Sequence, residues 1–85
     1  MMTRAEERAE FWMLTKGILQ DSRIDVDEAR VMRRWLVEHG KGNEFAFMIE
    51  KLDGFLTDGY IDPRESSTIS DYIGRVLVML GKSAT

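Results

Sequence analysis

The chain has 85 residues, 44% of them apolar and 32% charged, with one proline and no cysteine. That length suits one small domain and excludes two lobes around a catalytic cleft, and the lack of cysteine excludes disulfide staples and thiol chemistry. Twelve Lys and Arg against fifteen Asp and Glu leave a formal charge of -3, too slight a bias to indicate nucleic acid, a membrane surface or DNA mimicry.

Four helices are expected in chain order. The first spans Thr3 to Gln20: Thr3 and Glu6 have capping-box spacing, and Phe11, Leu14 and Ile18, with Trp12 and Leu19, make a broad apolar stripe. The second spans Val26 to His39 on a narrower stripe of Ala29, Met32, Trp35 and Leu36. Gly40 and Gly42 bracket the next reversal, and Asn43 is a candidate cap for a third helix from Glu44 to Thr57. Its stripe is Phe45, Met48, Ile49, Leu52, Phe55 and Leu56. The fourth helix spans Pro63 to Leu80 on Ile69, Tyr72, Ile73, Val76, Leu77 and Leu80, with Gly81 ending it in a left-handed turn and 82–85 as a tail. No stretch alternates apolar and polar residues long enough to be a strand. No apolar run nears the ~20 residues of a bilayer span, and no basic-then-apolar N-terminus marks a signal peptide. A cytoplasmic protein is expected.

A shift of 37 positions sets Gly17-Ile18-Leu19-Gln20-Asp21-Ser22-Arg23-Ile24-Asp25 on Gly54-Phe55-Leu56-Thr57-Asp58-Gly59-Tyr60-Ile61-Asp62. Six of these nine pairs are identical or both apolar, and the match runs on through Glu28/Glu65, Met32/Ile69, Trp35/Tyr72 and Leu36/Ile73. The sequence therefore predicts repeat units of about 11–37 and 48–74. Two copies are too few for an open array, so the expected fold is all-α: a compact four-helix domain of two helical hairpins related by a pseudo-two-fold axis, in a single domain over 1–85.

The repeated corner carries the chemistry. Asp25 and Asp62 suit the N-cap position, Glu28 and Glu65 complete capping boxes three residues on, and Pro63 suits the first helical position. Gly59 can end the third helix in a left-handed turn, which Ser22 does less easily, and Ile24 and Ile61 enter the core just before the caps. The same residues set oxygens at what would be positions five, nine and twelve of a calcium loop, from Asp21, Asp25 and Glu28 and from Asp58, Asp62 and Glu65. Positions one and three would be Gly17 and Leu19, or Gly54 and Leu56, which supply no side-chain oxygen. Capping is therefore the primary expectation, with a weak divalent cation at these six acids as the alternative and no other cofactor.

The corner pattern, an apolar helix followed by Asp-Gly/Ser-x-Ile-Asp-x-x-Glu and a helix with a central aromatic, resembles the tellurite-resistance TerB-like helical domains. Over about Phe11 to Leu77 it is also similar to the small helical module found beside BRCT domains in ligase-like proteins of bacteria and their phages. The resemblance implies an all-helical accessory module and, from the TerB-like side, acidic corners associated with metal. It also implies a phage or mobile-element origin. No BRCT or ligase region is present, so the role of those partners does not carry over.

Enzyme chemistry has little to use. There is no Gly-rich phosphate loop, and the one histidine, His39, lies at a helix C-terminus, where a protonated ring favours the helix dipole. Asp25 with Glu28, or Asp62 with Glu65, has carboxylate-pair spacing that capping already explains. Arg30, Arg33 and Arg34 form one basic face, flanked by Asp27 and Glu38. Met13, Phe47 and Val78 point away from their helices' stripes and are expected at the surface. The expected function is thus non-catalytic: a module that offers Met13, Phe47, Val78 and the Arg30-Arg33-Arg34 face to a protein partner or a second copy. The alternative is a metal-responsive TerB-like stress or resistance protein.

Overall fold

A computed structural model describes residues 2–21, 23–40 and 43–84, without the side chains of Asp21 and 82–84. Ser22 and Gly42, both assigned turn roles from the sequence, lie outside the described residues. Four helices account for the fold: α1 (Arg4–Asp21), α2 (Val26–His39), α3 (Ala46–Thr57) and α4 (Pro63–Ala84). No strand occurs among the described residues.

Local chemistry sets the helix starts. Glu6 N–H donates to Thr3 Oγ1 and Thr3 N–H to Glu6 Oε1, each at 3.1 Å, so the amides that open α1 are capped reciprocally. At the corners, Asp25 Oδ1 accepts from Glu28 N–H at 2.7 Å and Glu28 Oε1 from Asp25 N–H at 3.2 Å. Asp62 and Glu65 repeat this at 2.8 and 3.0 Å. Thus α2 and α4 begin at equivalent positions, Val26 and Pro63, one repeat apart.

Two expectations about helix ends are corrected. Asn43 does not cap α3 through its side chain: it takes φ 64°, and its carbonyl accepts from Ala46 N–H at 3.1 Å. Phe45, fully buried, precedes the helix instead, with no side-chain cap. The reversal needs a left-handed residue, which Asn tolerates better than most, and a buried anchor, so the helix starts two residues later than expected. Gly81 does not stop α4, which continues through the expected tail to Ala84. A Cβ at Gly81 would stand 3.3 Å from Arg8 Nε, so this glycine makes room for Arg8, which donates to the Leu77 carbonyl at 3.3 Å. Gly59, by contrast, does take φ +69° after α3.

Packing explains why neither repeat is self-contained. α1 packs most extensively on α4 and α2 on α3, whereas α1 with α2 and α3 with α4 touch lightly. This pattern is unchanged when the repeats are exchanged, so the two open hairpins clasp each other. The core runs through all four helices, with Phe11 and Ile18, Met32 and Leu36, Phe45, Met48 and Leu52, and Ile69, Ile73, Val76 and Leu80 almost fully buried. The radius of gyration, 12.2 Å, matches the roughly 12 Å expected of a packed chain of this length. Trp12 departs from the expected stripe: it is 46% exposed, because the positions facing inward on α1 are Phe11, Thr15 and Ile18.

Candidate functional site

The two corners meet. Arg23, Ile24, Asp25 and Glu28 of the first and Tyr60, Ile61, Pro63 and Ser66 of the second line a shallow cleft of about 660 Å³. Ile24 enters the core as its position before the cap predicts, whereas Ile61, expected there too, is only half-buried and packs against the edge of the core. Asp25, Glu28, Asp62 and Glu65 each spend one carboxylate oxygen on a backbone amide. Asp58 is exposed, and the side chain of Asp21 lies outside the described residues. Among the described residues, no three His, Asp or Glu side chains converge as metal ligands would.

A smaller groove of about 290 Å³ adjoins the cleft and shares Asp25 and Glu28 with it. Leu14 and the buried Ile18 of α1, with the 46% exposed Val31 of α2, make its apolar floor, and Asp27 completes its acidic rim. Leu14, part of the apolar stripe of α1, is only partly buried at the edge of the core, and Val31 lies outside the stripe of α2.

A polar cluster at the opposite end of the α1–α2 seam was also unforeseen. Glu7, 5% exposed, lies with Oε2 2.9 Å from His39 Nδ1, and Glu10 Oε1 is 3.6 Å from His39 Nε2. Trp35 Nε1–H donates to the same Glu10 oxygen at 2.6 Å, and its ring stacks on the imidazole with centroids 4.3 Å apart. Arg4 joins Glu7 at 3.6 Å to Glu44 at 2.5 Å, which adds the start of α3 to the cluster. A catalytic histidine needs one ring nitrogen directed at substrate. Here both nitrogens face carboxylates and one ring face is covered by Trp35, so the cluster fastens helix ends together. The signal for it was Glu7 and Glu10, one turn apart on α1, opposite the last turn of an antiparallel α2.

The expected partner surface does not form one patch. Met13 and Val78 are exposed, at 61% and 56%. Arg8 lies against Leu77 and Gly81, so Trp12, one turn further along α1, and Val78, beside Leu77, flank the same α1–α4 seam. Phe47 is not an exposed contact residue. It packs edge-on against Tyr72 at 5.4 Å, with the Arg75 guanidinium 5.2 Å from its ring centroid, because α4 crosses the flank of α3 that the stripe alone leaves bare. On α2, Arg33 pairs with Asp53 of α3, Arg30 lies 3.8 Å from Asp27, and Arg34 makes no ion pair among the described residues. Phe47 and Arg33 are therefore engaged within the bundle, whereas Met13, Val78, Arg30 and Arg34 remain exposed.

No protein-family model matches the chain, and no curated protein or solved structure is significantly similar to it. No helix is long and apolar enough to cross a membrane among the described residues.

Proposed function

We propose that the chain is a non-catalytic, cytoplasmic module that works by binding another protein, with self-association as the form this takes when the partner is a second copy. The observation that carries this reading is the set of large apolar side chains left outside the core on the solvent-facing sides of α1 and α4, Trp12, Met13 and Val78. Such side chains contribute most when a partner removes them from water, and an aromatic residue at the centre of an apolar patch is the usual anchor. The acidic corners act as caps, and the His39 cluster as a fastening. An origin as a phage or mobile-element factor that modulates a host protein is supported only by the resemblance of the corner motif.

The test is the double substitution Met13→Asp/Val78→Asp. Both side chains are mostly exposed, so the helical spectrum should be preserved. Sedimentation equilibrium and capture from the native host should lose the self-association or the stoichiometric partner seen with the unsubstituted chain. Equal binding by both proteins would refute the reading. Melting with calcium, magnesium, manganese and zinc tests the TerB-like alternative: a saturable rise in Tm would favour it, because a ligand bound only by the native state stabilises that state.

A further inference from the structure

We propose that the α1–α2 groove receives a partner segment carrying one bulky apolar side chain beside a lysine or arginine; this rests on the reading of the chain as a binding module. The floor is Leu14, Ile18 and Val31 and the rim Asp25, Asp27 and Glu28, in a volume of about 290 Å³ that suits a large side chain better than a cofactor. The seam stays open at this end because α1 gives its main face to α4 and meets α2 through Glu7, Glu10 and Phe11 at the other end.

The second repeat shows that the fold does not require this surface. One repeat on, Leu14, Val31 and Asp27 become Lys51, Thr68 and Arg64. The positions that capping and packing need are kept: Asp25 and Glu28 recur as Asp62 and Glu65 in the second capping box, and Ile18 recurs as the half-buried Phe55. The apolar floor and fully acidic rim therefore belong to one copy only.

The charges select the occupant. Asp25 and Glu28 each use one oxygen for capping, and the other has no partner among the described residues. Asp27 holds Arg30 only at 3.8 Å, with both side chains largely exposed, a pair that an incoming cation can replace. Three carboxylates around an apolar floor attract a cation attached to an apolar segment and repel an acidic one. An amphipathic helix laid between two antiparallel helices meets both demands.

The full-length, 15N-labelled chain should be titrated with a short amphipathic Leu–Lys peptide and with its Leu–Glu counterpart. The Leu–Lys peptide should shift the resonances of Leu14, Ile18 and Val31 and bind at least about tenfold more tightly than Leu–Glu. Asp27→Arg and Val31→Thr place the second repeat's residues in the first, so they should preserve the fold, and each should weaken Leu–Lys binding about fivefold or more. Three results overturn the proposal: no shift in the groove, equal binding of Leu–Glu, or unchanged binding by both variants. A Leu–Lys peptide that shifts Trp12 and Val78 in place of the groove also overturns it, while leaving the binding-module reading intact.

Discussion

The two corners place the same residues in the same bonds, so their energetics can be compared directly. Asp62→Ala removes an acceptor from the first turn of α4 and should lower stability by about 0.5–2 kcal/mol, and Asp25→Ala should do the same at α2. Urea unfolding measures both, and a change indistinguishable from zero would contradict the capping role. Gly59 holds φ +69° with open space around its Cα, so Gly59→Ala isolates backbone strain and should cost about 1–2 kcal/mol. Gly40 is constrained differently: a Cβ there would stand 2.8 Å from the Leu36 carbonyl and 3.1 Å from the Phe45 ring, so alanine would push the α2 end away from the residue that anchors the next turn. Phe47, expected at the surface, is half-buried between Tyr72 and Arg75. Phe47→Ala should therefore destabilise the monomer by about 1–3 kcal/mol, less than a fully buried phenylalanine would. A stable Phe47→Ala protein that fails only in association would restore it to the partner surface.

At the scale of elements, α1 does the most varied work. One flank meets α4 through Arg8, the opposite flank meets α2 through Glu7, Glu10 and Phe11, and its outer surface carries Met13. Glu7 is the sensitive point, since it is buried and bonded to His39 while Arg4 stands 3.6 Å away. Glu7→Ala should cost about 1.5–3 kcal/mol, measured by chemical unfolding, because His39 and Arg4 lose a charged partner inside the seam. Helix positions were legible in the sequence because apolar period and corner chemistry are local: Val26, Pro63 and Thr57 bound their helices where the residues predict. Which side of a stripe a neighbour covers is not local. Period alone therefore put Trp12 inside and Phe47 outside, when α4 leaves the first exposed and covers the second. The groove had a trace in the sequence, in the mismatches Leu14/Lys51 and Val31/Thr68 within an otherwise matching repeat. Those mismatches acquire meaning only once α1 and α2 are seen to leave a gap.

For the whole molecule, the duplicated sequence suggests two hairpins that each fold and then associate, but the packing implies otherwise. The extensive interfaces, α1 on α4 and α2 on α3, both cross between the repeats, and the contacts inside each hairpin are light. An isolated repeat would expose Phe11, Met32 and Leu36, or Phe45, Met48 and Ile73, without the helices that bury them. Helices of this length are marginal in water without a packed face, and lone hairpins lack one. Fragments divided between Gly40 and Asn43 should therefore show little helix by far-UV circular dichroism when separate. Mixed at equal concentration they should recover most of the intact spectrum, with a concentration-dependent midpoint, as association replaces chain connectivity. If either fragment alone were as helical as its half of the intact chain, the repeats would be independent units and the clasped arrangement would not be the source of stability.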